Sequence, residues 1–75
     1  MSVTVVDTKG LNCPLPILRL KKAIKGVAAG DMLRVLATDP GAVGDIQTFC
    51  QVTGNQLVDW QEDGGVLTFN IRKSG

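Results

Sequence analysis

Residues 3–38 read VTVVDTKGLNCPLPILRLKKAIKGVAAGDMLRVLAT, and the pattern of this stretch decides the fold. The β-branched run at 3–7 predicts a strand, and Lys9 to Asn12 a turn. Ile17, Leu20, Ile24, Val27 and Ala28 then recur at helical spacing, which predicts a helix over 14–27 that ends before Gly30. Pro14 suits the first helical position, where its fixed φ and missing N–H do no harm, and Pro16 still falls in the first turn. Residues 32–38 predict a second strand. Two strands joined by a helix run parallel, because a helical crossover returns the chain to the same edge.

The rest of the chain extends this unit. Asp39-Pro40 predicts a second helix, with Asp39 as N-cap and Pro40 at the first position. Its buried stripe is read as Ala42, Val43, Ile46, Phe49, Cys50 and Thr53, and Gly54-Asn55 stops it. Strands are expected at 56–61 and 66–72, joined by a hairpin turn at Glu62-Asp63-Gly64-Gly65. The order is β-α-β-α-β-β. The expected fold is a two-layer α/β sandwich with a four-stranded mixed sheet. Its first three strands run parallel, its last is antiparallel to the third, and both helices lie on one face. The open face is expected to carry Thr4, Arg34, Thr68, Asn70 and Arg72.

Totals narrow the function. The 75 residues carry a formal net charge of +1, which fits one domain over 1–75 and lacks the basic excess of a nucleic-acid binder. No apolar run approaches the ~20 residues that span a bilayer. Met1 to Gly10 shows no basic region followed by an apolar stretch, so no secretory signal is expected, and a cytoplasmic location is the default expectation. The chain has two cysteines, Cys13 and Cys50, and no histidine. The usual general base is missing, and a structural zinc site or a disulfide is not expected.

Cys13 is the informative residue. It lies at or beside the cap of the first helix, where backbone dipoles lower thiol pKa values to about 3.5–7.5. Arg19, Lys21, Lys22 and Lys25 follow on the same helix, which has no acidic residue, and they further favour a thiolate. The loop at 38–41 is expected beside Cys13, since both follow parallel strands at their carboxyl ends, where open α/β sheets place their sites. A cysteine that merely caps a helix is the plain alternative. Position 16 is proline, so the Cys-X-X-Cys redox motif is absent.

Gly10-Leu11-Asn12-Cys13-Pro14-Leu15-Pro16 resembles the glycine-leucine-x-cysteine-proline-x-proline signature of the TusA/SirA-like sulfur-carrier family. Thr38-Asp39-Pro40 with Asp45-Ile46, Phe49-Cys50, Gly54-Asn55 and Ile71-Arg72-Lys73 also fit it, so the resemblance spans nearly the whole chain. It implies that Cys13 accepts sulfane sulfur from a cysteine desulfurase or a rhodanese-like donor. Cys13 would hold it as a persulfide and pass it to an acceptor protein of a sulfur relay. Family roles include tRNA thiolation, molybdenum-cofactor synthesis and sulfur oxidation. Gly10, Leu11, Pro14, Pro16 and Asp39 are the supporting positions. No cofactor besides the covalent persulfide is implied, and such a carrier turns over no small molecule of its own.

Docking residues are read from the helical wheel. Leu15 and Leu18 fall away from the apolar stripe, among Arg19, Lys22 and Lys25, and are expected to form a partner contact beside Cys13. Single exposed leucines are also common. Cys50 is expected to be buried as a small hydrophobe, and Trp60 to pack at the sheet edge or lie partly exposed on the open face. A monomer forming transient complexes is expected, without membrane or direct nucleic-acid contact. An interaction module of the same fold without persulfide transfer is the alternative. RNA binding ranks lower: aromatic residues are only 4% of the chain, too few for a stacking platform.

Overall fold

A computed structural model describes residues 3–74 of the chain. Met1, Ser2 and Gly75, the ends of the expected 1–75 domain and of the segment read for a leader, lie outside the described residues. The elements are β1 (Val3–Thr8), α1 (Leu15–Ile24), β2 (Met32–Ala37), α2 (Ala42–Thr53), β3 (Gln56–Asp63) and β4 (Val66–Arg72). The sheet order is β1-β2-β4-β3. β1 is parallel to β2, and β4 is antiparallel to both of its neighbours, β2 and β3. The first three strands therefore point the same way, as expected, and β4 enters between the second and third.

Strand alternation builds the core. Leu33, Val35 and Ala37 on β2 stand beside Ile71, Phe69 and Leu67 on β4, and Val6 and Thr8 extend the rows onto β1. These side chains are buried with Leu20, Ile24, Ile46, Phe49 and Cys50 of the helices. One sheet face and both helices thus share a single apolar layer. Thr8 is fully buried, and its hydroxyl donates to the Leu36 carbonyl at 2.6 Å, so its polar atom is satisfied. Among the described residues, no helix covers the other face. Arg34 donates to Asn70 there, and Asn70 donates to Asp59.

Several boundaries differ from expectation. Pro14 is the N-cap of α1, not its first residue, and Pro16 takes the second helical position. The helix ends at Ile24, three residues early, because the amides of Gly26 and Val27 turn to the carbonyls three residues back, a tighter winding that closes helices. Val27 is still buried, while Ala28 is exposed. α2 starts at Ala42 after a Pro40-Gly41 turn, so Gly41 and not Asp39 is its N-cap. Thr53 is exposed, its hydroxyl bonded back to the Phe49 carbonyl. Thr4 pairs in register with Leu33 and so belongs to the helix side, leaving Val3 and Val5 on the open face. β3 runs on to Asp63, which shortens the turn to Gly64-Gly65 with φ of 59° and 85°. Two successive positive φ values make this a type I′ hairpin, which glycine adopts without strain. Trp60 lies on the helix side of edge strand β3, stacked on Phe69 with centroids 5.9 Å apart.

Candidate functional site

Two loops converge at the carboxyl ends of β1 and β2, as the parallel pairing requires. Gly10 turns the first with φ of 81°, a left-handed conformation that glycine tolerates, and its N–H donates to Thr38 Oγ1 of the second loop at 2.9 Å. Leu11 is half-buried, and its amide closes the turn onto the Thr8 carbonyl. Asp39 then clasps both loops. Its Oδ2 accepts the Cys13 N–H at 2.9 Å, and its Oδ1 accepts the Gly41 N–H at 3.2 Å. Asp39 therefore fixes the backbone of Cys13 and of its own loop, and does not cap α2.

Cys13 is exposed one residue before the cap of α1, after a turn and before a cis peptide to Pro14. Its Sγ lies 3.1 Å from Asp45 Oδ2, in the first turn of α2. From there an open groove of about 400 Å³ runs between the helices. Pro14, Ile17, Phe49 and the exposed Val52 line it with apolar groups, Asp45 flanks the sulfur, and Lys21 also lines it. Cys50 is buried, 4% exposed.

The expectation of a low Cys13 pKa is overturned: the thiol lies above its ordinary range. The first cause is the hydrogen bond it donates to Asp45, followed by partial desolvation and by the negative charges of Asp45 and Asp39. A carboxylate beside a thiol disfavours its anion. The helix terminus offers little in return. The Cys13 amide is taken by Asp39, the Leu15 amide bonds the Asn12 carbonyl at 2.8 Å, and Pro16 has none. Arg19 and Lys22 border a different groove, beside β1.

Leu15 and Leu18 are 46% and 51% exposed on the outer face of α1. With Lys22 and Lys25 they follow helical spacing along one stripe. Asp45 is the site residue that sequence reading missed. A signal for it exists: Ala42, Asp45, Ile46 and Phe49 fall at i, i+3, i+4 and i+7, placing a carboxylate within the inward stripe of a helix.

A family model described as "Sulfurtransferase TusA" matches residues 4–73. A protein of Allochromatium vinosum called sulfur carrier protein TusA is 51% identical over 69 residues, covering 92% of this chain and 91% of that one. One of the same name from Pseudomonas putida is 45% identical over 69 residues, covering 92% and 86%. The crystal structure of a SirA-like protein from Desulfitobacterium hafniense superposes with a TM-score of 0.82 at 26% identity, covering 99% of this chain and all of that one. Among the described residues, no helix is long and apolar enough to cross a membrane.

Proposed function

The chain belongs to the TusA sulfurtransferase family, and on that premise we propose that it is a sulfur carrier that holds sulfane sulfur as a persulfide on Cys13. The observation that carries this reading is the exposed thiol at the mouth of α1, set in the family signature, while the other thiol is buried. In loading, the Cys13 thiol gives up its proton and its sulfur attacks the outer sulfur of a donor persulfide. The donor S–S bond breaks, and the donor's inner sulfur keeps the electron pair and takes a proton. Unloading repeats the exchange, with the acceptor thiolate attacking the outer sulfur and Cys13 leaving. Sulfur moves without net oxidation, so no resident cofactor is required.

Donors of the desulfurase or rhodanese kind and an acceptor protein of a relay are the proposed partners, within the cytoplasm. Incubation with a cysteine desulfurase and cysteine should raise the intact mass by one sulfur atom, and a reductant should reverse the gain. An unchanged mass with desulfurase and rhodanese donors alike would favour an interaction module instead.

Docking on the α1 stripe supplies a second test. Leu15 and Leu18 are the apolar contact, with Arg19, Lys22 and Lys25 as a basic rim. Leu18→Asp is expected to slow transfer from a protein donor while the melting temperature stays nearly constant, because an exposed side chain contributes little to folding. A large fall in melting temperature would place Leu18 in the core.

A further inference from the structure

Cys13 faces two carboxylates and one cation: Asp45 from the first turn of α2, Asp39 from the loop before it, and Lys21 along the α1 side of the groove. The Asp45 oxygen is close enough to accept the thiol proton, at 3.1 Å from Sγ. The Asp39 carboxylate occupies the Cys13 amide, so that backbone donor is not available to a negative sulfur.

We propose that Asp45 sets the balance between the empty and the loaded carrier and drives sulfur off the protein. This rests on Cys13 carrying persulfide sulfur. The empty form presents a neutral S–H, which donates to Asp45. The loaded form presents a terminal sulfur that is a stronger acid than a thiol and so more readily anionic. That anion has no proton for Asp45 and is repelled by it, and Asp39 adds to the repulsion. Outward transfer to a small thiol shows the consequence. A glutathione thiolate attacks the terminal sulfur, the bond to Cys13 breaks, and Cys13 takes up a proton and regains its bond to Asp45. Atoms and electrons balance without an oxidant. The raised pKa of the empty thiol agrees with this arrangement.

The test is the partition of sulfur between Cys13 and glutathione, read by intact mass at a fixed ratio of glutathione to glutathione persulfide. Asp45→Asn is expected to raise the loaded-to-empty ratio about threefold or more, since an adjacent charge is removed. Asp45→Glu should stay near the wild-type ratio, and Asp59→Asn, the same charge change on the open face, should leave it unchanged. The empty Asp45→Asn protein should also react with uncharged iodoacetamide from a lower pH, because its thiolate forms more readily. If Asp45→Asn melts too low to assay, Asp45→Ser carries the same expectation. An unchanged or lower loaded ratio, a fixed alkylation profile, or an equal effect of Asp59→Asn would overturn the role of Asp45. If neither wild type nor variant takes up sulfur, carriage by Cys13 fails and this inference falls with it. Uptake with an unchanged partition overturns Asp45 alone.

Discussion

Cys13→Ser is expected to abolish sulfur loading, with no residual mass gain under conditions that load the wild type fully. A serine hydroxyl cannot form a persulfide, and the remaining thiol offers no substitute. Cys50 is 4% exposed among core side chains, and burial raises its pKa, so it is both screened and protonated. The fold should be unaffected, because the Cys13 side chain is exposed, its N–H hydrogen bond to Asp39 does not involve the sulfur, and a serine hydroxyl can donate to Asp45 in place of the thiol. A melting curve that matches wild type, alongside an unmodified mass, is the expected pair of results. Sulfur uptake by the serine variant would move the chemistry elsewhere.

Phe69→Ala is expected to give the largest loss of stability. Phe69 is fully buried on β4, beside Val35 on β2 and Trp60 on β3. Removing a buried aromatic ring costs about 3–5 kcal/mol, a large share of the roughly 5–15 kcal/mol that holds small domains folded. The melting temperature should fall by more than about 10 °C, given the steep response of domains this size. The loss comes from the ring's core contacts as well as its stacking on Trp60. Trp60→Ala, at the half-open edge, should be the milder change. Equal effects of the two variants in thermal denaturation would mean that the core does not centre on β4.

Much of this architecture is written locally. Alternation at Leu67, Phe69 and Ile71 against Thr68 and Asn70 marks β4 as a strand, and the spacing of Leu20 and Ile24 marks the inner face of α1. The lateral order of the strands is less legible, although a hint is present. β3 is QLVDWQED, with only Leu57 half-buried, whereas β4 buries three apolar side chains. A polar strand belongs at an edge and an apolar one between neighbours.

The site divides in the same way. Cys13, its prolines and the meeting of the 10–13 and 38–41 loops are legible, since helix position and parallel topology fix them. The sign of the thiol's pKa shift is not. It depends on Asp45, 32 residues away in sequence, and on which amides remain free once Asp39 and the Asn12 carbonyl have taken theirs. Counting the cations of α1 misleads, because Arg19 and Lys22 border the β1 groove instead of the sulfur.

Fragment-mass mapping of the loaded wild-type chain bears most directly on where the sulfur resides. After loading by a protein persulfide donor and proteolysis without reductant, the extra sulfur is expected on the peptide bearing Cys13, with the Cys50 peptide unmodified. Sulfur on Cys50, or on neither cysteine despite a mass gain in the intact protein, would contradict carriage by Cys13.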